Sequence, residues 1–458
     1  MSVFDWPWRH WARERPDDIA LRATTGDLSW RALSERVDAL AAGFYQQGVN
    51  EGDGVTLCAR NSERTLLAWL ALLQCGARIL PLNPQLPQTL IHAVLPSLTL
   101  RHALCLGEAP ALPALNILAW REPETSYAVA WRADRLASMT LTSGSSGLPK
   151  AAVHTARAHL ASAAGVLSLI PFHPSECWLL SLPLFHVSGQ GILWRWLRVG
   201  AQLAVREGLA LPEALEGCTH ASLVPTQLWR LLQLPERHLS VKAVLLGGAA
   251  IPVELTQAAA QRQIACWCGY GLTEFASTVC AKRADGKPDV GAALPGREVM
   301  LAGDEIWLRG ESMAEGYWRD GRLVPLTNAQ GWFATRDRGE WHDGRLQVHG
   351  RLDNLFFCGG EGVQPETIER VLCQHPQVRQ AFIVPLADEE FGERPVAVVE
   401  CEASFEPQAL RLWASDKLAR FQQPVAWLRL PETLKNGGIK ISRRDVTQWA
   451  ARRLHAET

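Results

Sequence analysis

Residues 139–150, MTLTSGSSGLPK, gather hydroxyls, glycines and one lysine in a short stretch flanked by apolar residues. Glycines let backbone N–H groups approach an anion without a Cβ in the way. Thr142, Ser143, Ser145 and Ser146 add hydroxyl donors, and Lys150 adds a point charge. The chemistry this favours is phosphate binding, with strand before the loop and a further element after it. The spacing is not that of a Walker loop, because Leu148 and Pro149 separate the lysine from Gly147, and Gly144 stands too close to it. No Gly-x-Ser-x-Gly frame fits Ser145 or Ser146, so a hydrolase nucleophile elbow is excluded. On this stretch alone a flexible Ser/Gly linker remains the alternative.

Other chemistry-bearing residues lie downstream. Gly269, Tyr270, Gly271, Leu272, Thr273 and Glu274 follow an apolar run and offer a platform for a base, a phosphate donor and a metal carboxylate. Gly247, Gly248 and Ala249 form a tight turn after the run 242–246. The run 178–184 reads as a buried strand ending in Phe185, His186, Val187, Ser188 and Gly189, the position where open α/β sheets hold ligands. His186 there is a ligand contact or a satisfied core histidine. Arg195 lies between Trp194 and Trp196 on a mostly apolar helix and needs an anion or water, or else lies over tryptophan at the surface. Near the C-terminus a glycine loop, Asn436-Gly437-Gly438-Ile439, carries Lys440.

The elements that must position these residues alternate. Leu28 and Trp30 read as a short strand, followed by a helix with Leu33, Val37, Leu40, Ala41 and Phe44 at helical spacing. Residues 55–57 and 78–82 read as strands around a buried helix over 66–75 closed by Gly76, which predicts parallel sheets covered by helices. A helix follows over 159–169, and 242–246 and 264–268 are further strands. From about Asp289 short strands and Gly-rich turns predict a β-rich subdomain, with a turn-dense join at 350–362. The last hundred or so residues read as a small α+β unit, with helices over 365–375 and 408–419 and strands over 380–385 and 396–400.

At 458 residues the chain has room for two to four folding units, on a prior of roughly 100–200 residues each. Lysine plus arginine number 46 against 47 acids, which points away from nucleic acid and anionic membranes and towards small-molecule partners, leaving a homo-oligomer open. Eleven scattered cysteines have no zinc spacing and read as thiols of a reducing cytoplasm. The charged first residues do not form a signal peptide, and the longest apolar run, 66–73, is too short for membrane insertion.

In their order along the chain, TSGSSGLPK, LPLFHVSG, GYGLTE, TRD, GRLDN and the C-terminal lysine loop resemble the adenylate-forming superfamily of acyl-CoA synthetases, adenylation domains and luciferases. The resemblance covers nearly the whole length. It implies a large N-terminal adenylation domain over 1–352, with parallel-type sheets and a β-rich subdomain, and a small mobile α+β domain over 353–458 hinged at Asp353. It further implies ATP, Mg²⁺ and CoA. The loop from Thr142 through Gly144 and Gly147 to Lys150 would hold the β- and γ-phosphates, Thr273 a phosphate oxygen and Glu274 the Mg²⁺. Tyr270, between Gly269 and Gly271, would lie near adenine, and Asp337 and Arg351 would take the ribose hydroxyls. Gly247, Gly248 and Ala249 would also serve the nucleotide, Gly359 and Gly360 the CoA arm, and His186 the reacting centre. Lys440 would bridge the acyl carboxylate and the α-phosphate. Arg336 stands where the superfamily commonly has glycine, Phe357 where lysine is common, and Ile439 where glycine is usual.

Within the superfamily, SLPLFHVSGQGILWRWL, ASLVPTQLWRLL, CGYGLTEFASTVC and RLDNLFFCGGEG resemble the branch that activates o-succinylbenzoate for menaquinone biosynthesis. That acid keeps a second carboxylate, for which Arg195 is the expected partner, with Ser188, Gly189 and Gln190 beside it. An amino-acid adenylation module would want an acid where this chain offers His186, Ser188 and then a cation, and no carrier segment follows. A simple aryl- or fatty-acid ligase would not need Arg195. An inactive binding homologue would not need Lys440, Glu274 and Lys150.

Overall fold

The computed structural model describes residues 5–112, 115–142, 148–235, 240–402, 406–435 and 441–455. Its largest sheet has nine strands. Ile19–Ala23, Gln202–Val205, Cys177–Leu179, His220–Leu223, Ala243–Leu246 and Ala265–Leu272 run parallel through its centre. Antiparallel strands lie outside them, Gly26–Ser29 on one edge and Ser277–Arg283 with Ala292–Ala293 on the other. An eight-stranded sheet likewise has a parallel half, ending in Leu136–Leu141, and an antiparallel half of Ala151–Thr155, Gly316–Arg319 and Arg322–Val324. Alternating β and α segments thus predict the parallel centres, and the hairpins add the antiparallel edges.

One apolar core joins the two large sheets through the helices Trp30–Gln46, Glu63–Gln74 and Val187–Val199. Leu33, Val37, Leu40, Ala41 and Phe44 are all fully buried, as their helical spacing predicts. Ser29 caps this helix by accepting from Ala32 N, so Trp30 is its first residue and does not extend the preceding strand. Glu63–Gln74 is buried on every face, and Ser62 caps it by accepting from Thr65 N. The helix Ala156–Leu169 starts earlier than its apolar pattern predicts because Thr155 caps it.

The run 178–184 leaves the sheet after Leu179. The Asn61 amide takes it over: Nδ2 donates to the carbonyls of Leu180 and Leu182, and Oδ1 accepts from Leu184 N at 3.0 Å. A side chain replaces the sheet ladder, and the chain turns into the helix Val187–Val199.

The β-rich segment forms a four-stranded antiparallel sheet, Arg297–Ala302, Glu305–Gly310, Phe333–His342 and Arg345–Arg351. The C-terminal part has a five-stranded sheet with its own apolar clusters, packed by the helices Pro365–Leu372 and Arg443–His455. The helix expected over 408–419 shortens to a 3₁₀ turn, Pro407–Ala409, and Leu410–Ala414. No described helix is long and apolar enough to cross a membrane.

Candidate active site

Ala265–Leu272 runs out of the parallel sheet into a 3₁₀ turn, Thr273–Phe275, and Ser277–Arg283 returns beside it. A Cβ on Gly271 would sit 1.8 Å from the Ser277 carbonyl oxygen, so this crossing excludes every side chain. Ala276 and Ser277 have φ of 49° and 109°, and the Ser162 hydroxyl fastens the bend by donating to Ala276 O at 2.7 Å. Thr273 and Glu274 therefore sit on a rigid corner. Glu274 O accepts from Ala314 N at 2.7 Å, and its Oε1 accepts from the Tyr317 phenol at 2.7 Å.

Tyr317 links this corner to the hydroxyl-rich loop, because the Lys150 ammonium lies 5.0 Å from its ring centroid. Burial and the Glu274 charge hold the Tyr317 phenol above its ordinary range, so it stays a donor. The loop closes a hairpin between Leu136–Leu141 and Ala151–Thr155, which makes the element after it a strand. Thr142 N donates to Lys150 O at 2.8 Å, and Lys150 N donates to Thr142 Oγ1 at 3.3 Å. Ser143, Gly144, Ser145, Ser146 and Gly147 lie outside the described residues.

A second polar group borders the same strand. The Tyr270 phenol donates to Asp337 Oδ2 at 2.6 Å, and Arg351 Nη1 lies 3.3 Å from Asp337 Oδ1. Burial, followed by the Asp337 charge, pushes the Tyr270 phenol well up. Arg351 also reaches Asp353 at 2.9 Å, and Arg336 meets the other Asp353 oxygen at 2.9 Å. Burial opposes the charge on Arg351, yet Asp337 and Asp353 hold its pKa above the ordinary value. Burial likewise works to raise Asp353, but Arg336 and Arg351 outweigh it and lower its carboxyl. Arg336 has φ of 65°, a conformation glycine adopts freely.

The residues expected to meet an acid lie along the helix Val187–Val199. Gly189 allows its first turn to pack on Pro183, where a Cβ would lie 2.1 Å from the carbonyl oxygen. Arg195 is 1% exposed, and among the described residues no carboxylate pairs with it. Its Nη2 donates to Ser222 Oγ at 3.4 Å, its Nε has no partner, and its guanidinium lies 4.5 Å from the Trp178 ring centroid. Burial pushes Arg195 down to about 9. A Cβ on Gly191 would lie 3.4 Å from Arg195 Nη2 and 3.3 Å from Ser277 Cβ, so the missing side chain joins the arginine to the Thr273 corner.

Gln190 is fully buried, with its amide nitrogen committed to Thr140 Oγ1 and Leu184 O, both at 3.0 Å. His186 is the N-cap residue of the helix, its ring edge-on to Phe185 at 5.0 Å, and Ser188 follows in the first turn, half-buried. Gly247 lies beside the Gly269 carbonyl, while Gly248 and Ala249 are exposed on the same turn. Gly359 and Gly360 turn between Phe356–Cys358 and Glu361–Val363, in a different sheet from the strand Ala265–Leu272 that leads into Thr273. Lys440 lies outside the described residues. Sequence reasoning did not single out Tyr317, Asn61, Ser222 or Trp178 for the site, because each takes its role from a partner distant in the chain.

A family model describing an AMP-binding enzyme matches residues 8–318, and the model of the AMP-binding enzyme C-terminal domain matches 367–440. The chain belongs to the AMP-binding enzyme family. It has the adenylate-forming ligase fold, with an N-terminal AMP-binding domain and a small C-terminal domain. Among curated relatives, this AMP-binding enzyme is 65% identical to 2-succinylbenzoate–CoA ligase of Salmonella typhimurium over 98% of each chain. It is 64% identical to the enzyme of that name from Escherichia coli, over 99% of this chain and 100% of that one. A solved structure of E. coli MenE, an R195K variant with bound OSB-AMS, superposes with a TM-score of 0.95 at 62% identity, covering 99% of this chain and 100% of that one.

Proposed function

We propose that the chain is an AMP-forming acid–thiol ligase that joins o-succinylbenzoate (2-succinylbenzoate) to CoA at the expense of ATP, a step of menaquinone biosynthesis in the cytoplasm. The observation that carries the choice of acid is Arg195, a buried guanidinium with no carboxylate partner among the described residues, in a chain 65% identical to a curated 2-succinylbenzoate–CoA ligase. A buried cation without an acid calls for an anionic ligand. The ring carboxylate of this keto-acid meets that need, leaving the aliphatic carboxylate to react.

In the first half-reaction the aliphatic carboxylate attacks the α-phosphate, forming an acyl-adenylate and releasing pyrophosphate. Two anions approach, so N–H donors and cations must offset their repulsion. Lys150 and the Thr142 loop take the leaving phosphates, Thr273 holds a phosphate oxygen, and Lys440 bridges the reacting carboxylate and α-phosphate. Asp337 and Arg351 receive the ribose, and Tyr270 borders the adenine. A hard divalent cation on a nucleotide needs only one or two protein carboxylates beside the substrate phosphates. Glu274 would hold that Mg²⁺, which neutralises phosphate charge when bound. In the second half-reaction the CoA thiolate attacks the acyl carbon and AMP leaves. Rotation of 353–458 about Asp353 withdraws Lys440 and brings Gly359 and Gly360 to the CoA arm.

The test is thioester formation with ATP and CoA, comparing o-succinylbenzoate, benzoate and a fatty acid. Turnover confined to o-succinylbenzoate is expected. Preferential turnover of either other acid would replace the assignment, and absence of pyrophosphate release with all three would mean a binding protein without chemistry.

A further inference from the structure

Arg195 faces an indole where a buried cation ordinarily faces an acid. Trp178 lies on the strand Cys177–Leu179, between Leu203 and His220 of the neighbouring strands, and is fully buried. The Arg195 guanidinium stands 4.5 Å from its ring centroid. On its other contacts the indole is braced by His220, 5.0 Å away at an interplanar angle of 31°, and by Phe172, edge-on at 5.2 Å. His220 is itself fixed, Nε2 to Pro171 O at 2.9 Å and Nδ1 to Thr219 Oγ1 at 2.8 Å. The Trp178 Nε1 has no hydrogen-bond partner, so the indole offers the site its face and not its N–H.

We propose that Trp178 is a positioning residue for acid selection: its π face stands in for the missing counter-ion and holds Arg195 ready for the substrate's second carboxylate. The inference rests on the reading that Arg195 receives that carboxylate. The Ser222 contact at 3.4 Å is at the limit of a hydrogen bond and cannot orient a planar guanidinium. A desolvated cation–π contact with tryptophan is the strongest of its kind, and phenylalanine supplies a weaker face of similar shape. If Trp178 only filled space, an aliphatic residue would serve nearly as well.

The experiment compares KM for o-succinylbenzoate with KM for the same keto-acid lacking its ring carboxylate, benzoylpropionate, in the full chain. Trp178→Leu is expected to raise the ratio of the two KM values about ten- to thirty-fold, and Trp178→Phe about three-fold. Equal ratios in Leu, Phe and native proteins would overturn the proposal. Should the Leu variant fold poorly, mono- to tetrafluorinated tryptophan placed at position 178 keeps the shape while draining the π face. The KM ratio should then climb with each fluorine, and a flat series would overturn the proposal. Arg195→Gln separates the two levels. If it leaves the ratio unchanged, the carboxylate reading falls and the proposal with it. If it shifts the ratio while the Trp178 series does not, the proposal alone falls.

Discussion

The Tyr317 phenol donates to Glu274 Oε1 over 2.7 Å, and the Lys150 ammonium lies 5.0 Å from the same ring. One side chain thus ties the carboxylate assigned to Mg²⁺ to the lysine assigned to the leaving phosphates. The contact is made by the strand Gly316–Arg319, which pairs with Ala151–Thr155 directly after the loop.

Tyr317→Phe should lower kcat/KM for ATP by about 10- to 150-fold, corresponding to roughly 1.5–3 kcal/mol for a hydrogen bond to a charged group, while KM for the acid changes little. Initial rates of pyrophosphate release at varied ATP measure this. An unchanged value would mean that the corner holds Glu274 without the phenol.

Arg195→Ala should raise KM for o-succinylbenzoate by about 30- to 1,000-fold, corresponding to roughly 2–4 kcal/mol for a desolvated arginine–carboxylate contact. KM for ATP should stay within about two-fold, since the guanidinium faces Trp178 and Ser222 and not the Lys150 loop. Kinetics equal to those of the native protein would remove Arg195 from the acid site.

Lys440→Ala should slow adenylation by about 10²- to 10³-fold, the usual loss of one transition-state donor, and leave thioester formation from presynthesised acyl-adenylate and CoA nearly intact. Single-turnover assays of each half-reaction separate the two. Equal losses in both would contradict a lysine that withdraws before CoA attacks.

Stability should fall with acid in a window set by buried histidine. Burial pushes His154, on the strand Ala151–Thr155, down to about 4, against a smaller opposing pull from the Glu274 backbone. An unfolded histidine takes its proton near 6.5, so the unfolded chain is protonated first as pH falls from about 6.5 to 4. His154 stability is complete above this window and lost within it, by about 2 kcal/mol at pH 5. Urea denaturation at pH 7 and pH 5 should show a smaller acid loss in His154→Leu than in the native chain. His159, buried beside it and pushed well down, keeps its own share. An identical pH response in both proteins would mean that His154 is already protonated when folded.

The sequence discloses what local pattern controls. Leu33, Val37, Leu40, Ala41 and Phe44 reveal one helix because its burial repeats with the helical turn. Gly271 and Gly189 stand where a side chain would meet a carbonyl oxygen, and their motifs are legible for that reason. Arg195 is conspicuous as a charge amid apolar residues. Tyr317 carries no local signal, since its partner Glu274 lies 43 residues away and sheet pairing alone brings them together. Asn61, 123 residues from Leu184, is hidden for the same reason, and it cuts short a strand that the apolar run 178–184 predicts.

Asn61 sets a condition on the order of folding. It follows a strand of the eight-stranded sheet, Gly54–Ala59, yet the carbonyls it holds belong to the segment leaving the nine-stranded one. The wall in front of the helix Val187–Val199 is therefore complete only once the two sheets have met. Refolding should regain sheet signal before acid-binding capacity, and Asn61→Ala should widen that delay in double-jump experiments that read adenylate formation at increasing ageing times. Simultaneous recovery of both signals would show that the wall forms without the clamp.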